Sequence, residues 1–159
     1  MNIHLICVGK LKEAFWVSAC AEYLKRLGAY AKVSVREVAD VDPARAGGER
    51  AAVEREGEAV LAALAACPAR THAVLLAIDG RRRSSEDFAA HLEELAVGGV
   101  SDVAFIIGGS CGVSDAVRAA ATETLSFGPI TLPHNLARVV LLEQIYRAFR
   151  IIRHEPYHK

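Results

Sequence analysis

Two short runs of uninterrupted apolar residues constrain this chain more than anything else in it. Ala73 to Ile78 and Val103 to Ile107 carry no polar residue on either alternate face, the pattern of strands covered on both sides. Each is flanked by segments with helical spacing. Phe15, Ala19, Tyr23 and Leu27 recur at intervals of four, so Glu13 to Leu27 is predicted to be a helix. Glu49 to Ala66 is rich in Ala, Glu and Leu and stops before Pro68. Ser84 with Asp87 resembles a capping box that opens a helix to about Val97, which Gly98-Gly99 closes. Ser114-Asp115 starts a short helix to about Thr122. Further strands are expected at Asn2 to Val8, at Val33 to Val38 (half exposed, since it alternates) and at Leu125 to Phe127. Asp42 to Gly48, with Pro43 and a glycine pair, reads as a mobile loop. Strands alternating with helices of this length imply one α/β domain over residues 1–159, a mostly parallel sheet with helices on both faces.

Composition narrows the function classes. With 52% hydrophobic and 24% charged residues the chain can bury a real core and is not disordered. No apolar run reaches membrane-spanning length, and Met1-Asn2-Ile3-His4 enters a strand without a signal-peptide pattern, so a cytoplasmic protein with no membrane partner is expected. Cys7, Cys20, Cys67 and Cys111 are scattered and form no C-x-x-C pair; free thiols and no metal are expected. The net charge is zero, against a general DNA-coating role, yet from Arg138 onward five Lys/Arg face only Glu143 and Glu155. That cationic end, with His134, His154 and His158 in or beside it, suits local contact with an anionic partner.

The final helix, running on from His134, is apolar on more than one face through Leu136, Val139, Val140, Leu141, Leu142, Ile145, Tyr146, Phe149, Ile151 and Ile152. One face packs on the sheet, and a symmetric homodimer is the economical way to cover the other. Ligands of open parallel sheets bind outside the strands' carboxyl ends, here Leu76 to Gly80, Ile107 to Gly112 and Phe127 to Pro133. There is no G-x-x-x-x-G-K-[ST] loop and no G-x-G-x-x-G fingerprint, so a phosphate-rich cofactor and a flavodoxin-like nucleotide binder are disfavoured. Arg81-Arg82-Arg83, after the Asp79-Gly80 turn, reads either as a solvated loop or as an RNA-backbone contact.

Several blocks resemble one family at fixed spacing. They are Ile106-Ile107-Gly108-Gly109-Ser110-Cys111-Gly112-Val113-Ser114, Thr131-Leu132-Pro133-His134, Arg138-Val139, Leu142 to Ala148 and Pro156-Tyr157-His158, with Val8-Gly9-Lys10, Glu22 to Arg26 and Glu56-Gly57-Glu58 upstream. The chain resembles the RlmH family of SPOUT-class methyltransferases along its whole length. The resemblance implies a trefoil knot in the C-terminal part, a homodimer, and S-adenosylmethionine as methyl donor. It implies transfer to ring nitrogen 3 of a pseudouridine in bacterial large-subunit (23S) ribosomal RNA; because a small dimer of modest charge binds naked RNA weakly, the assembled ribosome is the expected substrate. The implied cofactor residues are Leu76, Gly108, Gly109, Phe127, Gly128, Pro129, Ile130, Thr131 and Leu132. The absence of phosphate motifs agrees, because this cofactor carries no phosphate. Candidate catalytic residues are His134, Arg138, Tyr157 and His158: His134 for proton handling or, alternatively, for capping the helix or bonding the backbone; Arg138 for a phosphate or the uracil oxygens or, alternatively, as a solvated or dimer-bridging arginine; Tyr157 and His158 for stacking on the base or hydrogen-bonding to it. A non-catalytic ribosome-associated RNA-binding protein with the same fold is the rival expectation.

Overall fold

The computed structural model describes residues 1–157. Five strands, β1 (Asn2–Val8), β2 (Lys32–Val38), β3 (His72–Arg82), β4 (Asp102–Ile107) and β5 (Glu123–Ser126), form one sheet in the order β2-β1-β4-β3-β5, every neighbouring pair parallel. Six helices connect and cover them: α1 (Ala14–Leu27), α2 (Pro43–Ala46), α3 (Glu49–Ala65), α4 (Ser85–Val97), α5 (Asp115–Ala120) and α6 (His134–Ile152).

The two-residue strand period sorts the core into two layers. Ile3, Leu5 and Cys7 of β1 join Val103, Phe105 and Ile107 of β4 on the face covered by α1, α4 and α6. Ile6 and Val8 join Ala104, Ile106 and Leu75 on the face covered by α3 and α5, through Val60 and Val117. The expected helices on both faces are therefore present. From the β5 edge, α6 returns across the sheet to pack on both α4 and α1.

Local chemistry accounts for most boundaries. Ser84 Oγ accepts from the Asp87 amide at 3.0 Å and Ser114 Oγ from the Val117 amide at 3.3 Å, so both expected serine caps form. Two expectations need correction. Residues 42–48 are not merely a loop: Pro43 fits the first helical position, Asp42 Oδ1 accepts from the Ala44 amide at 3.0 Å, and Gly47 ends the turn at φ +95°. And β3 does not end at Ile78. It bulges between Leu76 and Arg81, both of which register on Leu125, and resumes to Arg82. Gly80 makes this possible, since a Cβ there would lie 2.8 Å from the Leu125 carbonyl carbon.

Along α6 the fully buried stripe is Ala137, Arg138, Leu141, Leu142, Ile145, Tyr146 and Ala148. Leu136, Val139, Val140, Phe149, Ile151 and Ile152 are only half-buried. The helix closes on a residue other than glycine. His154 adopts φ +55°, its amide bonds the Ile151 carbonyl, and the Glu155 amide reaches the Arg150 carbonyl, both at 2.9 Å. This paired pattern turns the chain back on the helix end.

Candidate active site

Parallel strands put their carboxyl ends on one side of the sheet, and three turns meet there. β1 runs into Gly9, β4 into Gly108-Gly109, and β5 into Phe127-Gly128, while α6 begins beside them at His134. Contact is close. Gly9 has φ +86°, and a Cβ on it would come 3.1 Å from Nε2 of His134. A Cβ on Gly109 would lie 2.6 Å from Oε2 of Glu56, and one on Gly108 would collide with the Val113 side chain. These two glycines thus serve close backbone packing against α3 and the following turn. Glu56 is buried, and its Oε1 accepts from the Val41 amide at 2.9 Å.

The segment from Phe127 to Pro133 is held at its root. Ser126 Oγ donates to the Ile78 carbonyl at 2.8 Å and accepts from the Gly128 amide at 3.1 Å, which anchors the segment to the β3 bulge. Gly128 takes φ +107° with open space where a side chain would stand. Among the described residues, no partner is found for the amides of Ile130, Thr131 and Leu132. Leu76, Phe127 and Leu132 are half-buried, Pro129, Ile130 and Thr131 exposed. A cleft of about 490 Å³ opens alongside, lined by Phe127, Gly128, Leu125, Phe88, Val140 and Arg82.

His134 is the first residue of α6 and half-buried. The N-cap is Pro133, which supplies no side-chain cap, so beside Gly9 the first amides of the helix have no partner among the described residues. His134 therefore does not take the N-cap position that was the alternative for it. One residue further, the Asn135 amide oxygen is buried without a partner among the described residues. Uncommitted amides, an orphaned acceptor and apolar walls without a phosphate-binding lysine fit a ligand such as S-adenosylmethionine, with polar ends and no phosphate.

Arg138 lies deeper than its expected role required. Its side chain is 3% exposed; Nη1 donates to Glu37 Oε1 at 2.5 Å and Nη2 to the Gly9 carbonyl at 2.9 Å. Glu37 also accepts from the Leu11 amide at 3.3 Å. Within one chain, Arg138 ties α6 to the β1 and β2 ends. Neither Glu37 nor Gly9's packing on His134 was singled out from sequence; Gly9 figured only in the resemblance.

Tyr157 is brought to a different place. Its ring meets Tyr146 edge-on at 5.0 Å, Arg147 stands 4.8 Å over it, and its hydroxyl donates to Glu143 Oε1 at 3.4 Å. Burial, then the Glu143 charge, pushes its hydroxyl above the ordinary tyrosine value. Arg147 Nη2 also bonds Glu143 Oε1 at 2.7 Å, an i,i+4 pair whose spacing was legible but not used. At 1.5 Å per residue, Glu143 and Arg147 lie roughly 14–20 Å along α6 from His134. A single chain thus does not bring Tyr157 together with the glycine turns. His158 lies outside the described residues. Of the arginine triplet, Arg81 and Arg82 are exposed at the end of β3, whereas Arg83 is an internal partner of Glu123 at 3.2 Å, not a solvated loop residue.

Fold and turns together define a parallel α/β domain with backbone-rich turns at its strand ends, flanked by a C-terminal helix and without a phosphate-binding motif. The family model described as "Predicted SPOUT methyltransferase" matches residues 1–158. Relatives named "Ribosomal RNA large subunit methyltransferase H" are similar over 100% of both chains: 52% identical in Listeria monocytogenes serotype 4a (strain HCC23) and in Listeria welshimeri serovar 6b, and 51% in Bacillus thuringiensis (strain Al Hakam). The chain belongs to the SPOUT methyltransferase family and, within it, to the group that carries this name.

Proposed function

We propose that this protein transfers a methyl group from S-adenosylmethionine to nitrogen 3 of a pseudouridine in bacterial large-subunit ribosomal RNA. The observation that carries this reading is the 52% identity, over the full length of both chains, to relatives named for large-subunit ribosomal RNA methylation. The close packing of the Gly9 turn on His134 at the strands' carboxyl ends supports it.

When bound, S-adenosylmethionine supplies an electrophilic sulfonium methyl group. Leu76, Phe127 and Leu132 would wall it, with Gly108, Gly109, Gly128, Pro129, Ile130 and Thr131 contributing backbone contacts. His134, beside the open helix end, would take the proton from the attacking ring nitrogen as a general base. Arg138 acts as a positioning residue, holding the Gly9 carbonyl against α6 so that the His134 ring keeps its place. Tyr157 and His158 would receive the base. Alignment of nucleophile and methyl group supplies most of the acceleration, up to about 7–11 kcal/mol in favourable cases.

Because Tyr157 packs far along α6 from His134, the complete site requires a second copy, and the half-buried apolar side of α6 is its seat. The reading is thus of a cytoplasmic homodimer, each chain one SPOUT domain with its C-terminal part threaded as a knot. Its substrate is the assembled ribosome, since a chain of zero net charge holds naked RNA weakly. Mass spectrometry of ribosomal RNA from cells with and without the protein is the decisive test: loss of one methylated pseudouridine is expected, and an unchanged spectrum refutes the reading. Calorimetry separates the enzyme from a non-catalytic RNA binder, because only the enzyme requires S-adenosylmethionine binding. Mixing His134→Ala and Tyr157→Ala chains should restore part of the activity if the site is shared, and none if each chain is self-contained. Equal methylation of a free transcript would contradict the ribosome requirement.

A further inference from the structure

On the outer side of β3 and β5, three potential metal ligands converge from segments far apart in sequence. His72 is the first residue of β3, Glu123 the first of β5, and His91 lies in the middle of α4. One ligand atom from each lies within 4.8 Å of the others. Both histidines present Nε2 to the same carboxylate oxygen: Glu123 Oε1 stands 3.1 Å from His72 and 2.6 Å from His91. Their side chains are only 16% and 17% exposed, and that of Glu123 is 22% exposed. This end of the sheet is opposite to the glycine turns, and the proposed methyl transfer uses none of the three.

We infer that His72, His91 and Glu123 form a binding site for a zinc-like divalent cation. Two imidazole nitrogens and one carboxylate oxygen are a familiar three-ligand set for zinc, leaving the fourth position to water. The surroundings orient the ligands as a metal site requires. Arg83 Nη2, 3.2 Å from Glu123 Oε2, occupies the oxygen turned away from the histidines and leaves Oε1 to the shared point. Glu94 Oε2 stands 3.8 Å from the other ring nitrogen of His91, an ion-pair distance beyond a direct hydrogen bond. For zinc–ligand bonds of about 2.0–2.1 Å, tetrahedral neighbours are about 3.4 Å apart. The His72 pair is close to that spacing, and the His91 pair opens by roughly 0.8 Å on binding. Because the ligands come from β3, α4 and β5, the ion would clamp the short edge strand from which the Phe127–Leu132 segment departs, a structural role.

The test is zinc titration of chelator-stripped full-length protein, followed by calorimetry and thermal melting. One saturable equivalent per chain and a raised melting temperature are expected. His72→Gln and His91→Gln should each weaken uptake at least tenfold, while His154→Gln combined with His158→Gln leaves it unchanged. Absence of saturable uptake by the wild type, or uptake that survives in folded His72→Gln and His91→Gln variants, overturns the inference. If those variants do not fold, X-ray absorption of the wild type with one zinc equivalent decides: two imidazoles and a carboxylate support the site, and any other ligand set overturns it.

Discussion

The Glu37–Arg138 pair makes a prediction whose sign depends on which partner is removed. Arg138 is 3% exposed and Glu37 29%, so the two ends of one ion pair differ in their access to water. In Glu37→Ala the guanidinium stays buried without its counter-charge. Breaking a buried pair in this way typically costs 3–5 kcal/mol; with water able to enter through the Glu37 side, a loss of about 2–4 kcal/mol is expected. In Arg138→Met the carboxylate can turn to solvent, and the chief penalty is an unpaired Gly9 carbonyl, about 1–3 kcal/mol. The double variant Glu37→Ala/Arg138→Met should be more stable than Glu37→Ala alone, because it removes the stranded charge. Urea denaturation at fixed protein concentration measures all three, and for a chain of this size Glu37→Ala should lower the melting temperature by about 4–16 °C. If Glu37→Ala costs under about 1 kcal/mol, or the two single losses simply add in the double variant, Arg138 is not the buried brace that its contacts describe.

Three further outcomes follow from particular contacts. Alanine normally favours a helix interior over glycine by about 1 kcal/mol, yet Gly57→Ala should destabilise by about 1–3 kcal/mol because its Cβ would collide with Ser114 Oγ; Ser114→Gly in the same chain should recover part of the loss in chemical denaturation. Cys111 is exposed while Cys7, Cys20 and Cys67 are buried, and burial pushes the Cys7 thiol up to about 12 and raises the other two. A thiol-reactive dye at pH 8 should therefore label one cysteine per native chain, none in Cys111→Ser, and four after denaturation. Hydrogen bonds from His4 and Asn2 hold Asp102 below its ordinary value of 3.8. A depressed carboxylate contributes stability above its unfolded value that is lost as pH falls through the folded one. Asp102→Asn should accordingly show a shallower loss of stability on acidification below pH 4, and an identical acid slope would remove this assignment.

Much of the architecture was legible because its causes are local. The apolar runs at 73–78 and 103–107, the serine caps at 84 and 114 and the apolar course of α6 are written in neighbouring residues. The strand-end turns at Gly108 and Phe127 were legible for the same reason, as breaks in that periodicity. The bulge that carries β3 on to Arg82 was not, because it depends on Gly80 lying against the Leu125 backbone, a strand 45 residues away in sequence. Nor was the partner of Arg138, since Glu37 lies 101 residues away and nothing beside it in the chain points to α6.

What this sequence determined by itself was the alternation of strands and helices, the lack of phosphate-binding motifs and a C-terminal helix greasier than one face needs. Only the tertiary structure decided that Arg138 is spent on Glu37 and Gly9, that Tyr157 rests far along α6 from His134, and that His72, His91 and Glu123 meet. Periodicity encodes how a residue sits relative to its neighbours in the chain; partners from 32 to 129 residues apart are chosen by sheet register and helix packing, which no local pattern records.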